Sequence, residues 1–240
     1  MPRFFSVRAV SVTTALAAAV ALSGSAVAAH AASAPGHASR TMFGPVSRYA
    51  LSNWGGYIAQ GTAGEFTVAA AHWTIATVTC NSDANLYAPW VGIDGDGDAT
   101  VEQTGVQTAC STGSPVNSAW YEMYPAAPVY FPNPVSTGDV ISASVTYAGG
   151  EYTLKITDKT QGWTHTVHKT LASDRLSAEA VIEAPGGYPT ITSVKFTGVK
   201  FNGQLLASFD PVASDTGTAA HEYVPTAIKH GDDFNMVPGT

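Results

Sequence analysis

The stretch Ala119-Trp-Tyr-Glu-Met-Tyr124 contains the pattern that decides the fold. Successive side chains of a β-strand point to opposite faces of a sheet. Trp120, Glu122 and Tyr124 therefore share one face, and Tyr121 and Met123 share the other. The second face is apolar enough for a core, whereas the first mixes aromatic rings with a carboxylate.

Two other stretches alternate in the same way, Ala178-Glu-Ala-Val-Ile-Glu183 and Trp90-Val-Gly-Ile-Asp94. In the former, small and apolar residues lie opposite Glu179, Val181 and Glu183. In the latter, Val91 and Ile93 lie opposite Trp90, Gly92 and Asp94. A solvated face of an ordinary sandwich would be plainly polar, so aromatic rings beside acids predict a groove for an extended ligand. Scattered surface aromatics are the alternative.

The rest of the chain has short runs of β-branched and aromatic residues, separated by Gly, Pro, Asn and Asp about every ten residues. We expect a hairpin turn at Gly149-Gly150, because glycine adopts positive φ at little cost. The pattern predicts one all-β domain over residues 51–240, an antiparallel β-sandwich of two large sheets. The clearest predicted strands are 66–69, 72–78, 90–93, 119–124, 140–147, 152–157, 164–169, 178–183 and 193–196.

The N-terminus has the pattern of an export signal over residues 1–31. Arg3 and Arg8 precede an apolar run of Ala, Val and Leu, and cleavage sites follow Ala28 and Ala31. A transmembrane anchor is the alternative, which Ser and Gly at residues 23–25 disfavour. We expect a secreted protein without a membrane span once the signal is removed. The small, turn-rich residues 32–50 are interpreted as a linker or a short pro-segment.

The charge distribution argues against nucleic-acid binding. The chain has 11 Lys+Arg and 18 Asp+Glu. No Lys or Arg lies between Arg48 and Lys155, a region with nine carboxylates. Phosphate binding needs clustered basic residues. Such an acidic surface repels itself less at low pH, which fits an acidic working environment.

Cys80 and Cys110 are the two cysteines of the chain. A lone pair of cysteines in an exported protein usually forms a disulfide, so we expect an intramolecular bond between them. Two free thiols are the alternative.

Three short motifs point to other chemistry, and each lacks a required part. Asp215-Thr-Gly217 matches the aspartic-protease triplet, but that mechanism needs two such carboxylates and the sequence has one copy. Residues 94–105 depart from a calcium-binding EF-hand at Ala99 and Gly105, although a looser calcium site stays open. His165 and His168 would point to opposite faces of a strand. We therefore predict no metal and no cofactor.

Five sequence blocks, read in order, resemble the glutamic peptidases, also called eqolisins. They are Ser52-Asn-Trp-Gly-Gly-Tyr57, Trp90-Val-Gly-Ile-Asp-Gly95, Gln103-Thr-Gly105, Ala119-Trp-Tyr-Glu-Met-Tyr-Pro125 and Ala178-Glu-Ala-Val-Ile-Glu183. The resemblance implies a concanavalin- or lectin-like sandwich with its active site in a groove on one sheet. It also implies a secreted, metal-independent acid endopeptidase acting on proteins and peptides, and we expect a monomer.

By the same resemblance, Gln103 and Glu183 are the catalytic pair. A glutamate can take a proton from water and return it to the leaving amine, while a neutral amide stabilises the oxyanion. With a pKa near the reference value of about 4.3, such a glutamate is partly ionised in mild acid. The resemblance further places five residues along the substrate groove: Trp54, Trp90, Asp94, Glu122 and Tyr124.

Three positions depart from the family pattern. Met123 and Ala180 replace aromatic residues, and both are expected on the core side of their strands. Glu102 stands where an apolar residue is usual, and nothing in the sequence explains it. A secreted carbohydrate-binding or lectin-like module is the alternative function, although such a module has no need of the pair Gln103 and Glu183.

Overall fold

The computed structural model describes residues 49–50, 53–185, 187–216 and 223–239. The predicted signal and the predicted linker up to residue 48 lie outside the described residues. The described chain is almost entirely β-structure, with one 3₁₀ turn at Leu206–Phe209. Within these ranges, no helix has the length and apolar character needed to cross a membrane.

The first large sheet, called the groove sheet below, has eight strands among the described residues. They run in the spatial order β1-β16-β2-β12-β5-β6-β7-β8, and every pair is antiparallel except β1 with β16. The strands are β1 (Tyr49–Ala50), β2 (Trp54–Gln60), β5 (Leu86–Ile93), β6 (Val101–Ala109), β7 (Val116–Tyr124), β8 (Val129–Tyr130), β12 (Ser177–Glu183) and β16 (Val212–Asp215).

The second large sheet, called the back sheet, runs β11-β10-β9-β3-β14-β18-β17, with β15 paired to β14. Its strands are β3 (Val68–Thr74), β9 (Val140–Ala148), β10 (Glu151–Asp158), β11 (Trp163–Lys169), β14 (Val194–Phe201), β15 (Gln204–Leu205), β17 (Tyr223–Pro225) and β18 (Phe234–Pro238). A separate two-stranded ribbon joins β4 (Val78–Thr79) to β13 (Thr190–Ile191).

The predicted antiparallel sandwich of two large sheets is confirmed. The hairpin at Gly149-Gly150 joins β9 to β10, and both glycines have positive φ. One detail of the prediction is wrong: no break separates the proposed strands 66–69 and 72–78, because β3 runs from Val68 to Thr74, and Val78 begins β4. The alanines between them contain no turn residue, so the chain continues extended through Thr74.

Two apolar clusters form on the two faces of the groove sheet. The larger cluster fills the space between the sheets and includes Met123 and Ala180, which confirms that both departures from the family pattern face the core. The smaller cluster lies on the outer face of the groove sheet, the face on which the sequence predicts the substrate groove. Its members are Ile58, Ala88, Trp90, Val101, Trp120 and Val181, with Trp54 and Tyr124 packed against them.

The disulfide predicted from the two cysteines is present. Cys80 follows β4 and Cys110 follows β6, and their Cα atoms are 5.6 Å apart. The bond ties the end of the strand that carries Gln103 to the ribbon region. Cys110 is fully buried within the main core.

Candidate active site

Gln103 and Glu122 face each other across neighbouring strands of the groove sheet. The register pairs Gln103 of β6 with Glu122 of β7, so both side chains lie on the groove face. Gln103 Nε2 donates a hydrogen bond to Glu122 Oε2 over 2.7 Å. Gln103 Oε1 is buried and has no hydrogen-bond partner within the described chain. Because that oxygen is closed to a ligand, the second N–H of the amide is the group that Gln103 can offer.

Glu183 ends strand β12 on the same face of the sheet. Asn53 Nδ2 donates to Glu183 Oε1 over 3.1 Å. Burial raises the pKa of the Glu183 carboxyl, while Trp54, Trp90 and Asn53 oppose this rise by favouring the charged form. A carboxylate in such a site is a stronger base than one in water.

The strand register sets the spacing of the predicted catalytic pair. Across β5, Gln103 lies opposite Gly92 and Glu183 lies opposite Ala88, four residues further along that strand. Within the described residues, no hydrogen bond joins Gln103 to Glu183. Glu183 is nevertheless close enough to Glu122 to raise the pKa of that carboxyl. On the groove face, Glu122 therefore interacts both with the Gln103 amide, through a hydrogen bond, and with the Glu183 carboxyl, through its charge.

Of the two carboxyl groups, Glu122 has the more clearly raised pKa. Burial, and after it the charge of Glu183, raise the pKa of Glu122 to about 7, against a smaller opposing effect of its hydrogen bond from Gln103. In mild acid Glu122 is therefore protonated and uncharged. A protonated carboxyl can also donate a hydrogen bond, whereas a carboxylate only accepts.

Aromatic rings form the walls of the groove beside these groups. The rings of Trp54 and Trp90 meet edge to face with centroids 4.8 Å apart. A Cβ atom at Gly105 would lie 2.7 Å from Cβ of Trp90, and one at Gly95 would lie 2.7 Å from the Trp54 ring. Glycine at these two positions lets the tryptophans pack down onto the strands, which explains part of the sequence motif.

Asp94 is placed differently from the other predicted groove residues. It is fully buried, has φ 66°, and accepts hydrogen bonds from the backbone N–H groups of Arg175 (2.8 Å) and Leu176 (2.6 Å). Asp98 Oδ2 likewise accepts from Asp174 N over 3.0 Å. These carboxylates hold the segment that leads into β12, so the geometry gives the acidic loop an architectural role.

Three polar residues on or beside β12, to which the sequence pattern gives no role, lie at or near the candidate site: Asn53, Glu179 and Tyr188. Asn53 positions Glu183, and Tyr188 Oη donates to the carbonyl oxygens of Asn53 and Ile182, which fixes the end of β12. Glu179 lies on the groove face, is fully buried, and has no hydrogen-bond partner for either oxygen in the described part of the chain. Asn53 and Glu179 stand within the quoted motifs, so only their position in the motif could have drawn attention to them.

The position of Glu102, unexplained in the sequence, is clear in the structure. Its carboxyl lies on the opposite face from Gln103, fully buried between the sheets near Tyr152. Burial, and then the charge of Asp94, raise the pKa of Glu102 to about 8. It lies in the core and not in the groove.

Comparison with known proteins agrees with this architecture. Residues 52–235 match the model of the peptidase A4 family. Among solved structures, scytalido-glutamic peptidase with a transition-state analogue inhibitor superposes with a TM-score of 0.69 at 23% identity, covering 80% of this chain and 100% of that one. Aspergilloglutamic peptidase from Aspergillus niger gives 0.56 at 23% identity, covering 64% and 99%. SCP-B, an eqolisin in complex with the tripeptide Ala-Ile-His, gives 0.64 at 22% identity, covering 80% and 100%. No curated protein gave a significant match.

The family match over residues 52–235 identifies this β-sandwich protein as a peptidase. The chain belongs to the peptidase A4 family, the glutamic peptidases, and its enzyme class is that of a glutamic endopeptidase. Family membership favours this activity over the alternative of a carbohydrate-binding module.

Proposed function

We propose that the chain is a secreted acid endopeptidase in which Glu183 activates water and Gln103 stabilises the oxyanion. The observation that carries this proposal is the groove face, where the buried amide of Gln103 lies beside two partly buried carboxyl groups. The strands β5 to β8 contain no Lys or Arg. A peptide substrate lying in the groove would therefore meet acid, base and hydrogen-bond donors supplied by neutral or acidic groups alone.

Glu183 would act first as a general base and then as a general acid. It takes a proton from water as the water oxygen attacks the peptide carbonyl carbon, and it returns that proton to the amine nitrogen as the C–N bond breaks. Asn53 holds the carboxylate by its hydrogen bond, and the nearby indoles of Trp54 and Trp90 favour the charged form. Its raised pKa makes it the stronger base, and it then remains a competent acid for the leaving amine.

Gln103 would supply the electrophilic assistance. One N–H of its amide is engaged by Glu122, and the second can donate to the oxygen that becomes negative during attack. Because Glu122 is uncharged below about pH 7, it does not oppose that negative charge in mild acid. Of the other predicted groove residues, Trp54 and Tyr124 would contact the extended substrate through their rings, and the fully buried Trp90 would support Trp54 from below.

The test compares two glutamates on the same face of one strand. Glu183→Gln keeps the shape of the side chain but removes the base, so hydrolysis of a denatured protein should fall to background. Glu179→Gln is the matched control and should retain most activity, since Glu179 is fully buried and is given no part in the reaction. Gln103→Ala should slow the reaction about 10²–10³-fold through loss of the oxyanion donor. Circular dichroism confirms folding of each variant.

The outcome that contradicts the assignment is equally specific. If Glu183→Gln kept more than a few per cent of wild-type activity, Glu183 would not be the base. If Glu179→Gln alone were inactive while folded, the role would pass to Glu179, which lies in the same cross-strand row as Gln103.

The proposal extends to the setting in which the enzyme works. Proteins and peptides are the substrates that the family implies, and export follows from the predicted signal over residues 1–31. We further propose that the mature domain acts as a monomer, without nucleic-acid partners and without a metal or other cofactor.

A further inference from the structure

One end of the groove carries a hydrogen-bonded pair of side chains with no part in the proposed reaction. Gln107 lies on the same face of β6 as Gln103, and Tyr130 of the short edge strand β8 lies opposite Trp120 of β7. Tyr130 Oη donates to Gln107 Oε1 over 2.7 Å. The Tyr130 side chain is 47% exposed, so this end of the groove is open to a ligand.

The hydrogen bond fixes which groups this end of the groove can offer. The Gln107 amide oxygen accepts from Tyr130, and the amide NH₂ group keeps its N–H donors. Beside it, Trp120 Nε1 is buried and has no acceptor within the described ranges, and Trp120 is only 6% exposed. That atom has almost no accessible surface, so the N–H groups of the partly exposed Gln107 are the donors that an acceptor on a ligand can reach at this end of the groove.

The charge of the surroundings limits what that acceptor can be. The four strands that form this end contain no Lys or Arg, and Glu122 acts on Tyr130 electrostatically. An anionic side chain would find no cation on these four strands and would be repelled whenever Glu122 is ionised. A cationic side chain cannot accept a hydrogen bond. A neutral carbonyl oxygen can accept the hydrogen bond and is not repelled by an ionised Glu122.

We propose that Gln107 and Tyr130 form a specificity subsite for an amide side chain, glutamine or asparagine, of the peptide substrate. The inference rests on the proposed function. Trp120, which lies opposite Tyr130, is two residues from Glu122 and Gln107 is four residues from Gln103, which corresponds to roughly 7 and 13 Å along a strand. An extended substrate has the same rise per residue, so the recognised side chain lies two to four positions from the scissile bond.

The test uses internally quenched peptides that differ at one position. At each position from two to four residues on either side of the scissile bond, one peptide carries Gln and its partner carries Met, which has similar length but no amide. We measure kcat/KM for the wild type, Gln107→Leu, Tyr130→Phe and the control Tyr147→Phe. Tyr147 lies on the back sheet, where its ring packs on Tyr152.

The wild type should prefer Gln over Met at one position by about five- to tenfold, the effect of one hydrogen bond. Gln107→Leu removes the donor and Tyr130→Phe releases the amide, so both should lose the preference while cleaving the Met peptide at the wild-type rate. Tyr147→Phe should keep the preference. The Met peptide also reports whether each variant is folded and active.

Two outcomes overturn the subsite while leaving the proposed function intact. The first is a wild type that cleaves Gln and Met peptides equally at every position, and the second is a Gln preference that is unchanged in both variants. A wild type that cleaves none of the peptides would overturn the proposed function itself, and the subsite with it.

Discussion

Glu179 and Glu183 show how one strand face gives two glutamates different chemistry. Both point from β12 to the groove side, and burial raises the pKa of each. Glu183 has a hydrogen bond from Asn53 and two indole rings nearby, which favour its charged form. Glu179 has acidic neighbours, Asp94, Asp96 and Glu102, which favour its neutral form. Only Glu183 is therefore well placed to cycle between the two states.

The pH dependence of the proposed reaction follows from Glu183 and Glu122. The base must be ionised, and since the Glu183 pKa lies above its ordinary value of 4.5, kcat/KM should rise with pH through a limb above 4.5. Ionisation of Glu122, with a pKa of about 7, would place a negative charge beside the oxyanion and lower the rate. We expect a bell-shaped profile with its maximum in mild acid, measured on a neutral peptide.

Glu122→Gln separates the two limbs of that profile. The variant cannot ionise at this position, so its alkaline limb should move to higher pH while the acid limb stays in place. Glu151→Gln, an exposed change on the back sheet, should leave both limbs unchanged. A wild-type profile already falling at pH 4.5 would contradict the assignment of Glu183 as the base.

At the scale of elements, the site depends on how β6 and β12 are fixed at their ends. Asp94 and Asp98 hold the backbone of residues 174–176 just before β12 begins, and Tyr188 holds its far end. The disulfide fixes the residue after β6. Each side chain of the pair is thus carried by a strand anchored outside the groove, which keeps their spacing constant.

Removal of the disulfide should destabilise the fold more than it impairs the chemistry. The bond closes a separation of 30 residues, for which the chain-entropy model gives about 3–4 kcal/mol. Cys80→Ala with Cys110→Ala should lower the free energy of unfolding by roughly that amount in urea titrations. The folded variant should keep kcat/KM within a few-fold of wild type. A loss of activity without a loss of stability would show that the bond acts on the site directly.

Alternation in the sequence predicts elements and faces well but not register. The pattern of Trp120, Glu122 and Tyr124 correctly gave their shared face, because a two-residue period follows from strand geometry alone. The four-residue offset between Gln103 and Glu183 depends on how β5 pairs with both neighbours, which no single strand encodes. Asp94 shows a second limit of alternation, which predicts it on the groove face with Trp90. Its backbone has φ 66° just after β5, and its carboxylate accepts hydrogen bonds from the backbone of residues 175–176.

Across the whole molecule, the glutamates with raised pKa values lie in two layers. Glu122, Glu179 and Glu183 lie on the groove side of the first sheet, and Glu102 lies between the sheets. Burial raises the pKa in all four cases. A chain with several carboxyl groups that are neutral when folded and ionised when unfolded gains stability in acid, in contrast to most proteins.

Glu102 allows the sharpest test of this acid stability. Its folded pKa of about 8 lies above the unfolded value of 4.5, so its stabilising effect is complete below pH 4.5 and is lost as pH rises to about 8. The groups that face it are Asp94, Asp98, Thr100 and Tyr152, and the two carboxylates increase the cost of ionising it. The loss is at most roughly 4 kcal/mol between these limits. Urea unfolding of the wild type at pH 4 and pH 8 measures it.

Glu102→Gln should remove much of the difference between the two pH values, because the amide stays neutral in both. At pH 4 the variant should unfold at nearly the wild-type urea concentration, and at pH 8 it should be the more stable protein. Asp83→Asn, an exposed change, serves as the control and should leave the pH dependence as it is. If Glu102→Gln instead lost the same stability at both pH values, the Glu102 carboxyl would contribute through packing and hydrogen bonding. The acid stability of the molecule would then have to come from the carboxyl groups of the groove.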